Sequence, residues 1–176
     1  MTRTTYHIKT SHFSDCLIEH ISPLEAFKVG SFEVTPFPLP HDAAETLGFR
    51  IDSGCTSVAI ATDIGSLTPL VVEHMRGCRV IVLEANYDYQ MLVDGPYPPA
   101  LKQRILSQMG HFSNSDCLKA LKELVTEDTQ AVVLAHLSEE NNDPGLAVRI
   151  MSDGLGGRVK VLVAYPKNMS ELVAID

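Results

Sequence analysis

The sequence contains no apolar run approaching the roughly 18–20 residues of a membrane-spanning helix, so a membrane partner is not expected. Its opening stretch, MTRTTYHIKTSHFSD, lacks the apolar centre of a secretory signal, and cytoplasmic residence is the resulting expectation. Positive charge is scarce: 14 Lys and Arg face 22 Asp and Glu, a net charge of −8. That balance argues against a broad basic face of the kind that covers nucleic acid. It leaves open an acidic protein whose local potential is reversed by bound divalent cations. The four cysteines, Cys16, Cys55, Cys78 and Cys117, form no C-x-x-C pair. Zinc-ribbon and dithiol redox motifs are therefore excluded, and free thiols suit a reducing compartment. There is no internal repeat, low-complexity tract, helix-turn-helix, zinc finger or aromatic platform for single strands. No segment carries two or three closely spaced His or Asp ligands.

At 176 residues, 45% hydrophobic and 20% charged, the chain suits one domain spanning 1–176 with a sizeable core. Residues 1–30 show no clean periodicity. Ser31 to Phe37 then alternates apolar and polar like a half-buried strand, closed by Pro36, Pro38 and Pro40. Gly48–Asp52 and the run SVAIATD continue what reads as a β-meander, with Ser53-Gly54 as a turn. Beyond it helix and strand alternate: helices over Pro69–Met75, Pro99–Met109, from a Ser113 or Ser115 cap to Leu124, and Pro144–Met151. The strands between them are Arg79–Glu84, Gln130–Ala135 and Val159–Val163. Strands first and alternation afterwards predict an α/β (α+β) fold, a mixed sheet with packed helices.

Polar islands stand where the apolar runs stop: Pro40-His41-Asp42, Ala61-Thr62-Asp63-Ile64-Gly65, Gly110-His111-Phe112-Ser113-Asn114 and Ala135-His136-Leu137-Ser138. A strand that ends in His or Asp puts that side chain at the rim of a sheet, where loops build sites. Imidazole and carboxylate are ligands for zinc and related divalent ions, and a carboxylate can bridge two of them. Taken singly, each island has a plainer reading. A histidine after a strand can be a hydrogen-bonded structural residue, and an aspartate before a Gly turn can be a turn former. Glu84, Asn86 and Asp88 also follow an apolar strand and reach toward the same rim, Asn86 and Asp88 reading as loop-stabilising residues. Asn141 and Asn142 read as a structural loop before Pro144.

Five segments, FEVTPFPLPHDAAETLGF, IATDIG, LEANYD, GPYPPALKQRILSQMGHFSN and AHLSEENN, run in order between about residues 30 and 149. Together they resemble the metallo-β-lactamase-fold hydrolases, and within them the YycJ/WalJ/VicX branch. The resemblance implies the C-terminal part of an αββα metallo-β-lactamase sandwich. It implies two divalent metal ions, Zn or Mn, with His41 on the first, Asp63 bridging and His136 on the second. It also implies phosphodiester hydrolysis on DNA, of the 5′–3′ exonuclease type. Asp63 and His111 are the catalytic candidates. His111 is either a structural histidine at a capped helix start or a group that contacts substrate phosphate or protonates a leaving group, with Ser113 and Asn114 beside it as substrate-binding candidates.

The family's H-x-H-x-D-H motif is absent; His7 and His12 are separated by four residues and lack the Asp-His that should follow. Three ligands shared between two ions give an incomplete site, since zinc takes about three or four protein ligands. The expectation for the chain alone is weak metal binding, poor catalysis and self-association. The competing reading is a truncated, non-catalytic remnant serving as a folded or oligomeric scaffold.

Overall fold

The alternating stretch after Gly30 becomes sheet, and the helix–strand alternation becomes a parallel extension of it. The computed structural model describes residues 20–54, 56–167, 171 and 174; His7, His12, Cys16 and Cys55 lie outside them. The strands are β1 (Phe27–Val29), β2 (Phe32–Pro38), β3 (Leu47–Ser53), β4 (Thr56–Ala61), β5 (Val80–Glu84), β6 (Ala131–Ala135) and β7 (Lys160–Val163). The helices are α1 (Pro69–Met75), α2 (Tyr89–Asp94), α3 (Pro99–Ile105), α4 (Asn114–Leu124) and α5 (Pro144–Leu155). All seven strands form one sheet in sequence order. β1 to β4 pair antiparallel as the expected meander, and β4 to β7 pair parallel.

This topology places the site. In the parallel register Ala61 lies beside Leu83 and Glu84 beside Ala135, so β4, β5 and β6 end on one rim. Two antiparallel steps return β2 to the direction of β4, and the chain leaving Pro38 for His41 emerges at that rim as well.

One sheet face carries Ala59, Ala61, Ile81, Leu83, Val132 and Leu134 against Val71 and Met75 of α1, Leu121 and Leu124 of α4, and Met151 of α5. Each Val, Leu, Ile or Met buried there contributes about 1.5–3 kcal/mol before chain entropy is counted. Cys78 and Cys117 are buried free thiols, the expected inert role, and burial pushes both thiol pKa values up. The other face is also apolar. The pairings put Phe49, Ile51, Val58, Ile60, Val82, Val133 and Leu162 on it. These side chains are only half-buried, and none belongs to the helix-packed core.

Four elements differ from the expectations. The helix read over Pro99–Met109 stops at Ile105, because the Ser107 hydroxyl donates to the Arg104 carbonyl and the chain turns sharply. Gly110 then passes so close that a Cβ there would lie 2.3 Å from the Arg104 and Ile105 carbonyl oxygens. The last helix continues past Met151 to Leu155, since Gly154 fits against Leu118, and it ends at Gly156 with φ +66°. β1 and α2 had no periodic signal: each is short, and α2 is set by the Asp88 carboxylate accepting from the amides of Gln90 and Met91.

Candidate metal centre

Asp63 and His136 follow β4 and β6 in left-handed backbone, φ 60° and 55°. Residues other than glycine seldom take that conformation, which costs about 1–3 kcal/mol and clusters at functional sites. The turn it makes at each strand end carries the side chain over the rim. Asp63 Oδ1 lies 3.8 Å from His41 Nε2, 3.9 Å from His111 Nδ1 and 3.6 Å from His136 Nδ1. The ring centroids of His41 and His111 are 4.9 Å apart, and those of His111 and His136 5.3 Å. One carboxylate oxygen thus sits among three imidazoles.

His41 is nearly buried, and its Nδ1 donates to the Gly110 carbonyl at 2.9 Å. A carbonyl only accepts, so the proton is on Nδ1, and the Nε2 lone pair faces Asp63 in the form a metal requires. The strand-end loops are stitched together around it: Gly65 donates to the Pro40 carbonyl, Asp42 to Met109 and His111 to Ile105. Gly65 has no room for a side chain, since a Cβ would lie 2.4 Å from the Gln108 carbonyl oxygen. Arg104 holds Asp42 through Nε and Nη2. That hydrogen bond lowers the Asp42 carboxyl to about 2.

Glu84 closes the site from below. It is the last residue of β5 and 0% exposed, yet charged. Its Oε2 accepts from the Ile64 amide at 3.1 Å and lies 3.4 Å from His136 Nδ1, while Oε1 meets His111 Nδ1 at 2.8 Å. Burial pushes this carboxyl up, but the hydrogen bonds from His111 and His136 outweigh it and leave it below its ordinary value. The same contact, ahead of burial, raises His136. Donor atoms of Asp63, Glu84, His111 and His136 all lie within 4.8 Å of one another. Two carboxylates and two imidazoles at that spacing fit a divalent cation.

The structure therefore brings His41, Asp63 and His136 together, and adds Glu84 and His111 to the same cluster. Ser113 and Asn114, the substrate-binding candidates, are both buried. Ser113 is buried and caps α4, accepting from the Asp116 amide. Asn114 is buried in a reciprocal amide pair with Asn142, which also donates to the Ala85 carbonyl. Asn86 has the loop role read for it, donating to the His136 carbonyl at 2.8 Å and so fixing that histidine's backbone. Glu84 is the residue that sequence reasoning underweighted. Its signal was a carboxylate directly ending the apolar run VIVL, which has to find partners if it is buried.

Residues 3–137 match the family model described as the beta-lactamase superfamily domain. The chain is 37% identical over 118 residues to exodeoxyribonuclease YycJ of Bacillus anthracis, an alignment covering 67% of this chain and 45% of that protein. It is 31% identical over 153 residues to exodeoxyribonuclease WalJ of Streptococcus pneumoniae serotype 2, covering 83% and 57%. The chain thus spans about half the length of the curated relatives it matches. Among solved structures, the metallo-β-lactamase fold protein YhfI from Bacillus subtilis aligns with a TM-score of 0.62 at 17% identity, covering 81% of this chain and 52% of that one. A diphosphatase from the PhnP family aligns at 0.61 and 18%, covering 90% and 50%. At those identities the structural likeness speaks for the fold alone. No helix among the described residues is long and apolar enough to cross a membrane.

Proposed function

This chain belongs to the metallo-β-lactamase superfamily, and from that premise we propose that it contributes a metal-dependent phosphodiester hydrolase site acting on DNA, of the 5′–3′ exonuclease type. The observation that carries the reading is Asp63 Oδ1 set 3.6–3.9 Å from three imidazole nitrogens. The fold implies divalent metal ions; two of them, Zn²⁺ or Mn²⁺, would be held by His41, Asp63 and His136, with Asp63 the ligand common to both, a set without the H-x-H-x-D-H residues of the resemblance. Bound there, such ions supply an activated water, its pKa lowered to about 7, and charge neutralisation on the phosphoryl oxygens.

The protein's own residues do the rest. His41 is fixed in its ligating tautomer by the Gly110 carbonyl. His136 is held at its angle by Asn86. His111 Nδ1–H donates to the Glu84 carboxylate, which turns Nε2 away from it. In that orientation, with the Glu84 charge behind it, His111 is placed to deliver a proton to a departing oxygen. The nuclease relatives support DNA as the substrate.

The test follows release of nucleotides from 5′-phosphorylated DNA with added Mn²⁺ or Zn²⁺, and again after chelation. Wild-type protein releases nucleotides only with metal, and His111→Gln slows release about a hundredfold. Chelator-resistant release, or equal rates in the two proteins, contradicts the assignment.

The half-buried apolar face supports self-association as well. That face carries Phe49, Ile51, Ile60, Val82 and Val133 on β3 to β6, half-buried and outside the helix-packed core. We therefore expect the chain to associate, in the simplest case with a second copy, sheet against sheet. Light scattering across a dilution series should show mass rising with concentration, and Val82→Lys with Val133→Lys should return it to the monomer. A wild-type protein that stays monomeric at every concentration rules this out.

A further inference from the structure

Two clefts meet at the metal centre, and His111 is the single residue that lines both. They differ in charge. The first is bordered by Asp116, Glu123 and Lys119, and Lys119 is already paired with Asp116. The second runs from His111 and His136 past Arg104 to Tyr97 and Leu101, with Glu139 on its border, and has a volume of about 340 Å³. With the ion pairs set against each other, the first wall keeps the Glu123 charge. In the second Arg104 faces Asp42 and Glu139 faces Lys167, so a phosphate chain meets less repulsion along the second. Arg104 holds Asp42 through Nε and Nη2, which leaves Nη1 uncommitted at an exposed position. Tyr97 and Leu101 are packed on the buried cluster of Tyr87, Leu92 and Ile105, so the shelf they make is preset. The volume lies at the low end of small-ligand sites, about 300–1,000 Å³, enough for one nucleotide.

We propose that this second cleft seats the terminal nucleotide of the DNA strand, its base stacked on Tyr97 and its phosphate met by Arg104 on the way to His111. The assignment rests on the hydrolase reading for the identity of the strand. Base stacking on one aromatic ring tolerates any base, so the seat selects for a strand end without selecting for sequence.

The probe is a short single-stranded oligodeoxynucleotide with hydrolysis-resistant phosphorothioate linkages and 2-aminopurine as its 5′-terminal base, titrated into the full chain with Mn²⁺. Wild type should quench the fluorophore saturably, and should quench it less when 2-aminopurine is moved to the interior. Tyr97→Leu keeps the apolar packing and removes the ring; it should weaken binding about tenfold and abolish the quench, while Tyr97→Phe retains both. Arg104→Gln should weaken binding and flatten its salt dependence, with the quench intact at saturation. Circular dichroism confirms that each variant is folded. Wild type that fails to bind the probe, or Tyr97→Leu that binds and quenches like wild type, overturns the proposal. Hydrolysis of ordinary DNA is measured in parallel. Tyr97-dependent binding without hydrolysis would sink the hydrolase reading and leave the seat standing. Metal-dependent hydrolysis indifferent to Tyr97 would do the reverse.

Discussion

Replacing Asp63 with asparagine should weaken divalent-metal binding by more than about a hundredfold and take DNA hydrolysis to background. Loss of a residue that merely supports a ligand typically costs about 10–100-fold, and Asp63 stands closer than that, its Oδ1 shared among His41, His111 and His136. The choice of asparagine matters. At φ 60° an alanine would be strained, whereas asparagine enters left-handed backbone readily. Asp63→Asn therefore removes the charge while keeping the turn, and metal-free wild type and variant should unfold at similar urea concentrations. Titration calorimetry with Zn²⁺ or Mn²⁺ reads the affinity. Equal affinities would move the ions away from Asp63.

The largest effect on stability should come from Glu84. Glu84→Ala leaves the Ile64 amide and the His111 ring without their buried acceptor, and each buried donor left unsatisfied in this way costs about 1–3 kcal/mol. Glu84→Gln keeps the volume and loses less. The pH dependence has a definite sign. Glu84 is held below its ordinary carboxyl value in the folded protein, so its contribution is present above that ordinary value and is lost as pH falls through the folded-state pKa. The stability gap between wild type and Glu84→Gln should be wide at neutral pH and close in acid. Urea midpoints across a pH series measure it, and a gap constant with pH would show that Glu84 is uncharged when folded.

Much of the architecture could be read from residue patterns because the sheet depends on local signals. The alternation from Ser31 to Phe37 and the uninterrupted runs in β5 and β6 became strands, and Ser53-Gly54 leads out of β3 as the expected turn. Pro69 opens α1 and Ser113 caps α4, again as expected. What was not legible depends on register. Nothing within IATD or AHLS says that Asp63 and His136 come within 3.6 Å; that follows from β4, β5 and β6 running parallel and ending together. Glu84 was hard to rank for the same reason, since its partners come from loops 27 and 52 residues away. Asn114 could not be told from a substrate-binding residue in sequence, because a buried amide pair uses polar side chains just as a substrate site does. The helical pattern through Met109 failed where Ser107 took a helix carbonyl for itself.

The central claim, that the rim formed by β4, β5 and β6 holds divalent metal on His41, Asp63 and His136, is tested most directly by anomalous scattering from crystals grown with Zn²⁺. The account predicts a peak at about 2.0–2.2 Å from Asp63 oxygen and histidine nitrogen, with His41 bound through Nε2. Zinc located elsewhere on the protein, with Asp63 and the three imidazoles left as they stand, would contradict it.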